Sequence, residues 1–254
     1  MSEIIASGII EKSTLQQYID VFTPIVSEGK LHFDKDGLHI RVVDAANIAM
    51  VNGTIHANGF ESYESPGSVV QGLDFERLEN LIKPAGSSAL IQLEMDMETR
   101  SLRISFDNVI TGMGLIDPSS VRSEPDLPDI DLPNTVVLEG KELSKVSKVA
   151  GSISDHIKIE GYPDEKQLVF SAKGDIDKTT LEYDPENTID GTKITADCYS
   201  LFSVDYFEKV VKPIPKNAEV TIQFGSEFPM IMSWLSNEGN VEVKQALAPR
   251  IEKD

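Results

Sequence analysis

Most of the chain consists of short β-rich runs bounded by turn residues, the pattern of strands with one buried face. Residues 4–10, 31–33, 38–43, 48–55, 90–95 and 102–106 read as strands, as do 136–138, 157–160, 167–171, 179–183, 220–224 and 230–235. Asp34-Lys35-Asp36-Gly37 reads as a hairpin turn, because Asp and Gly accept the positive φ that such a turn needs. Residues 98–100 and 163–166 stand in equivalent places between strands. Four segments follow a helical period instead. Their apolar stripes are Leu15, Tyr18, Ile19, Phe22 and Ile25, with Ser13 as N-cap; Leu78, Leu81, Ile82 and Ala85; Leu143, Val146, Ala150 and Ile153; and Phe207, Val210, Val211 and Ile214.

These segments recur at a nearly constant interval. Leu15, Tyr18 and Phe22 map onto Leu143, Val146 and Ala150 at an offset of 128. Leu78, Leu81, Ile82 and Ala85 map onto Phe207, Val210, Val211 and Ile214 at 129, and Leu38 and Ile40 onto Leu168 and Phe170 at 130. Two copies of one strand-and-helix unit therefore fill the chain. Few helices beside extensive sheets predict an α+β duplication with its helices packed on one face. The expected organisation is a first domain over residues 1–116, a connecting segment over 117–134 and a second domain over 135–254. The connecting segment holds Pro118, Pro125, Pro128 and Pro133 together with Asp117, Glu124, Asp126, Asp129 and Asp131. Proline removes ladder donors and stiffens an extended chain, so this stretch reads as a semi-rigid surface linker or a plain spacer.

Composition adds constraints. The chain has 254 residues, 40% of them hydrophobic and 26% charged, enough for a sizeable core and unlike a disordered chain. No apolar run approaches a membrane span, and the first residues carry no basic segment followed by an apolar one, so no secretory signal is expected. The single cysteine, Cys198, excludes an intrachain disulfide and a multi-cysteine zinc site, and points to a reducing, cytosolic compartment. The net charge of −19 argues against nucleic-acid binding by the surface as a whole and suits solubility in a salty cytoplasm.

That charge is unevenly distributed. The four helical segments have net charges of −2 (13–28), −1 (74–85), +2 (141–153) and +1 (203–216), so the acidity lies outside them. Lys83 and Lys212 are equivalent at the offset of 129, and Lys145 and Lys148 lie opposite the apolar stripe of their helix. A shared helical face of this kind tolerates phosphates while the exterior repels them, although lysines of this sort also decorate ordinary solvated helices. No aromatic residue interleaves them, so stacking on single-stranded bases is not indicated.

Catalytic chemistry is not visible. His32, His39, His56 and His156 form no ligand motif, and there is no Walker loop, dinucleotide fingerprint or nucleophile elbow. Glu94, Asp96 and Glu98 alternate along one strand face, which admits a carboxylate-bound metal and a hydrolase, or simply a solvated edge. Asp34-Lys35-Asp36-Gly37 begins like a calcium loop but has Ala45 where the twelfth position requires Glu.

Residues 38–51, 60–63, 115–118, 154–157, 199–206, 227–229 and 247–252 together resemble the DNA polymerase sliding clamps, the proliferating cell nuclear antigen family, in its archaeal form. The segment around Asp44 and the tail Leu247-Ala248-Pro249-Arg250-Ile251-Glu252 carry the most specific part of the likeness. The resemblance implies a DNA clamp fold: two similar domains, each with antiparallel sheets outside and two helices on the inner face, closing as a homotrimeric ring around double-stranded DNA without base readout. It implies no enzymatic activity, no cofactor and no metal. DNA polymerase, the clamp loader, flap endonuclease and DNA ligase are the implied partners, docking through short peptide motifs in the nucleoid-associated cytoplasm, with no membrane involved. A clamp-fold scaffold that docks peptides with little DNA association is the alternative.

Carried over by position, the DNA-facing residues implied are Lys83, Lys145, Lys148, Lys209 and Lys212. The chain departs from the family on its first helix, where Gln16, Gln17 and Thr23 replace basic residues. The implied partner-peptide pocket comprises Val43, Asn47, Ile48, Met50, Leu127, Ile130, Pro229, Ala248, Pro249 and Ile251, an apolar socket roomier for having Ala246 in place of a tyrosine. The implied subunit interface joins edge strands over 109–115 and 175–183 through Ile110, Met113, Leu115, Ile176 and Leu181.

Overall fold

A computed structural model describes residues 4–65, 67–124 and 130–250. Among these, the first half of the chain forms β1 (Ile4–Glu11), α1 (Lys12–Ile19), β2 (Glu28–Asp34), β3 (Gly37–Val43), β4 (Ala49–His56), β5 (Ser62–Glu64), β6 (Val69–Asp74), α2 (Phe75–Ile82), β7 (Leu90–Asp96), β8 (Ser101–Phe106) and β9 (Val109–Gly114). The second half forms β10 (Asn134–Glu139), α3 (Gly140–Gly151), β11 (His156–Tyr162), β12 (Gln167–Lys173), β13 (Lys178–Tyr183), β14 (Cys198–Ser203), α4 (Val204–Val211), β15 (Glu219–Phe224), β16 (Met230–Ser236) and β17 (Val241–Leu247). None of the described helices is long and apolar enough to cross a membrane.

The chain divides into two compact units. The first comprises residues 1–43, 51–125 and 236–243; the second comprises 44–50, 126–235 and 244–254. In the first, strands run in the orders β5-β1-β7-β8-β9 and β4-β3-β2-β6; in the second, β10-β15-β16-β17 and β13-β12-β11-β14. Apart from the added β5, the two sets of orders correspond strand for strand, so the repeat seen in the apolar pattern is a repeat of topology. The paired strands for which register is resolved are antiparallel, as in β1 with β7 and β10 with β15.

Even the helix starts are duplicated. The amides of Lys12 and Ser13 donate to the carbonyls of Ala89 and Ser87, and those of Gly140 and Lys141 donate to Ala218 and Lys216. Phe75 N–H likewise donates to Ser27, and Val204 N–H to Asp155. Backbone carbonyls from elsewhere in the unit thus satisfy amides that a helix start leaves unpaired. This corrects the expectation of a Ser13 cap: Glu11 is the N-cap of α1, its side chain caps no helix amide and instead accepts the Ser13 hydroxyl, and Ser13 sits inside the first turn. The helices are also shorter than their apolar stripes. Past α1, α2 and α4 the chain continues in turns that keep Phe22, Ala85 and Ile214 buried. Pro84 and Pro213, which have no N–H to donate, follow the last helical turns of α2 and α4.

The cores are aromatic where helix meets sheet. In the first unit Phe22 packs 5.1 Å from Tyr18 and 5.6 Å from Phe75, and the buried Tyr18 hydroxyl donates to Gly53 C=O at 2.8 Å. In the second, Phe170 of β12 lies 6.2 Å from Phe207 of α4 and 6.0 Å from Tyr183 of β13. Burying a side chain of this size contributes about 1.5–3 kcal/mol, which anchors each short helix.

Candidate DNA-facing, subunit and docking surfaces

The helical surfaces of the two units differ in charge. Lys83 and Lys212 are the C-caps of α2 and α4, where an ammonium group complements the negative end of the helix. Both are exposed, as are Lys145 and Lys148 on α3. Lys145 Nζ pairs with Glu142 at 3.2 Å, and Lys209 Nζ pairs with Asp205 at 2.8 Å while lying 5.0 Å from the centre of the Tyr206 ring. In the first unit Gln16 Nε2 donates to Asp20 at 2.6 Å, and burial together with the neighbouring Asp20 carboxylate raises the Glu79 carboxyl above its ordinary value. The second unit thus offers lysines, and the first offers Lys83 beside an acidic pair.

The implied interface strands are both sheet edges: β9 ends its sheet in the first unit and β13 ends its sheet in the second. Ile110 is 66% exposed and Ile176 94%, while Leu115 and Leu181 are half-buried. Met113 is fully buried, because it faces inward on β9, on the strand face opposite the exposed Ile110. An open groove of about 650 Å³ runs between α3 and β13, lined by Glu142, Lys145, Leu181 and Tyr183 among others. The Tyr183 hydroxyl donates to Glu142 at 3.1 Å there.

Of the residues implied for docking, Val43 falls in the first unit, and Asn47, Ile48, Met50, Ile130, Pro229, Ala248 and Pro249 fall in the second. Leu132, Ile231 and Ala246 form a small apolar floor, with Met50 and Ile130 packed against it. Ala248 N–H donates to Ile48 C=O at 2.8 Å, and Arg250 N–H to Leu201 C=O at 2.7 Å, so the tail is held at both ends around Pro249. Pro229 is half-buried just before β16, and Asn47 stands exposed with φ 57°. Val43 is buried and offers little surface. Leu127 and Ile251 lie outside the described residues. Leu132 and Ile231 escaped the reading of the sequence; an apolar residue in a stretch of prolines and acids was the available signal for Leu132.

The loop carrying Asn47 and Ile48 is built on Asp44. Its buried carboxylate accepts N–H bonds from Ala46, Ile48 and Ala49 and an O–H bond from Tyr206. Burial pushes this acid up, but the donors outweigh it, and it ends below its ordinary value.

The carboxylates considered for a metal have other partners. Glu94 pairs with Arg103 at 3.4 Å, and Asp96 accepts the amides of Glu98 and Thr99 in the β7–β8 turn. Among the described residues no three His, Cys, Asp or Glu side chains gather as a metal site. Asp34 accepts the amide of Asp36 and pairs with His39 at 3.1 Å, which are hairpin contacts.

A twofold sheet-and-helix unit with lysines at matching helix ends is the architecture of a two-domain clamp. Family models described as the N-terminal and C-terminal domains of proliferating cell nuclear antigen match residues 5–111 and 126–250. A DNA polymerase sliding clamp of Natronomonas pharaonis is 43% identical over 97% of this chain and 99% of its own, and one of Haloarcula marismortui is 41% identical over 98% and 99%. The solved structure of the C-terminal region of FEN-1 bound to A. fulgidus PCNA has a chain 30% identical, with a TM-score of 0.90 over 98% of this chain and 100% of that one. PCNA of Thermococcus kodakaraensis, 20% identical with a TM-score of 0.87 over 96% and 100%, shares the fold. The chain belongs to the proliferating cell nuclear antigen family of sliding clamps, which are processivity factors of DNA replication and repair and not enzymes.

Proposed function

We propose that this chain is the subunit of a homotrimeric ring that encircles duplex DNA and tethers DNA polymerase, clamp loader, flap endonuclease and DNA ligase to it through short peptide motifs. In this reading residues 1–116 and 135–254 are the two clamp domains, and 117–134 connects them. The ring works in the cytoplasm, on the nucleoid. The observation that carries the reading is the pairing of Lys83 with Lys212, equivalent C-caps on a duplicated clamp fold. A closed ring leaves DNA only by opening, so a few weak phosphate contacts from Lys83, Lys145, Lys148, Lys209 and Lys212 permit sliding and impose salt dependence. Edge strands β9 and β13, with Ile110, Leu115, Ile176 and Leu181, suit a head-to-tail contact that closes after three copies.

The docking half of the proposal rests on the floor of Leu132, Ile231 and Ala246 with Met50 and Ile130, and on the peptide in the A. fulgidus complex. An apolar floor accepts aliphatic and aromatic anchors of a short helix, and backbone beside the tail pairs with the rest of the peptide. The test is twofold. Sedimentation at moderate salt is expected to give a particle about three times the 27.9 kDa subunit. Replacing Lys83, Lys145, Lys148 and Lys212 by Glu is expected to abolish polymerase stimulation on primed DNA. Undiminished stimulation supports instead a peptide-docking scaffold with little DNA association, a reading favoured by Gln16, Gln17 and the Asp20–Glu79 pair.

A further inference from the structure

We propose that Tyr206 is a positioning residue for the docking loop 44–49, holding that loop to α4 through the buried carboxylate of Asp44. The inference rests on the docking reading above and adds to it the part of the chain that sets the loop's shape.

The loop leaves β3 after Val43 and enters β4 at Ala49. Its ends are joined by Asp44 N–H to Ala49 C=O at 3.0 Å, and Asn47 N–H donates back to Asp44 C=O at 3.1 Å. Asn47 adopts φ 57°, a left-handed conformation that asparagine accepts more readily than most residues. Inside this turn Asp44 is only 5% exposed. Its Oδ1 accepts Ile48 N–H at 2.6 Å and Ala49 N–H at 2.8 Å, and its Oδ2 accepts Ala46 N–H at 2.9 Å. These are charge-assisted bonds, roughly twice as strong as neutral ones.

A fourth donor arrives from far along the chain. The Tyr206 hydroxyl, 162 residues away in sequence, donates to the same Oδ2 at 2.8 Å. Tyr206 lies in the first turn of α4, and its ring is covered by the Lys209 ammonium at 5.0 Å. The carboxylate therefore has a fixed orientation relative to α4, and the three amides follow the carboxylate. With its amide turned to Asp44, Ile48 presents its carbonyl to Ala248 N–H at 2.8 Å, so the loop in turn carries the tail. Two residues further, Met50 packs on the floor of Leu132, Ile231 and Ala246. One phenol thus governs the relation of three parts of the docking surface: loop, tail and floor.

Tyr206→Phe removes the O–H and keeps the ring under Lys209. The probe is a fluorescent peptide of the C-terminal region of FEN-1, titrated into wild-type protein and variant, with hydrogen exchange measured at the amides of Ala46, Ile48 and Ala49. Tyr206→Phe is expected to weaken peptide binding about fivefold or more and to speed exchange at those amides, while the particle mass stays that of wild type. Asp44→Asn, which turns an amide N–H₂ toward the same donors, is expected to weaken binding by about tenfold or more. If wild type takes no peptide, the docking reading fails and the inference falls with it. If wild type binds and Tyr206→Phe binds equally well, the inference alone is overturned, whatever the exchange rates.

Discussion

The carboxyl of Glu79 on α2 meets that of Asp20, the C-cap of α1. Burial first and then the Asp20 charge raise the Glu79 carboxyl above its ordinary value, against a hydrogen bond from Thr23 that lowers it. An acid whose folded pKa exceeds its unfolded one costs stability when ionised. The cost is absent below the ordinary glutamate value of about 4.3, grows as pH rises toward the folded value, and is full above it. Glu79→Gln is therefore expected to raise the thermal midpoint at neutral pH and low salt by about 1–2 °C, the size allowed by solvent screening of a partly exposed pair. Melting curves of the two proteins should converge below about pH 4. A gain that persists at acid pH would assign the effect to packing and not to charge.

On α4 the Lys209 ammonium, which also lies over the Tyr206 ring, is neutralised by its pair with Asp205. Asp205→Asn releases that ammonium, and duplex affinity of the assembled ring is expected to increase. The plot of log affinity against log salt should steepen by up to about one unit, the signature of one further phosphate contact. Loss of Asp205 also removes an acid from the first turn of α4, at a cost of about 0.3–1 kcal/mol in stability. An unchanged salt slope would place Lys209 outside the DNA contact.

Leu181 lies half-buried on the edge strand β13, beside the groove with Glu142 and Lys145. Leu181→Glu adds a carboxylate to an edge that, in a ring, is desolvated against a second acidic subunit. Sedimentation is expected to give monomers of 27.9 kDa, with circular dichroism like that of wild type. An intact trimer in this variant would refute the assignment of β13 to the subunit contact.

Gly72 of β6 has no room for a side chain. A Cβ there would lie 2.7 Å from atoms of Ile116 and Val121, where the chain beyond β9 is bridged to Gly72 by two backbone hydrogen bonds. Gly72→Ala is expected to cost about 1–3 kcal/mol through overpacking. It should also lift residues 116–121 off β6, detected as faster limited proteolysis between Asp117 and Glu124. Equal proteolysis would mean that the segment is held elsewhere, for instance by Glu124, which bonds to His32 at 2.9 Å.

Strand by strand, legibility followed local chemistry. Runs such as 38–43 and 102–106, with strong alternation and flanking turns, coincide with β3 and β8. The reading from residues alone missed β5, β6, β14 and β17, and β9 entered only through the family likeness. β5 has three residues, β6 and β9 contain glycines, and β17 includes Lys244, Gln245, Ala246 and Leu247, all good helix formers. Their strand state comes from neighbours that supply ladder partners, which propensity does not encode.

Sequence alone determined the duplication, the positions of the four helices and the lysines on them, because apolar spacing and charge are local properties that survive in a one-dimensional pattern. Tertiary structure decided which residues share a site. Only folding sets Tyr206 against Asp44, closes helix starts with carbonyls from distant loops, turns Met113 inward and collects Leu132, Ile231 and Ala246 beneath Met50. The physical reason is that a hydrogen bond or packing contact between residues scores apart depends on sheet register and chain reversal, and those are settled by the burial of whole faces at once.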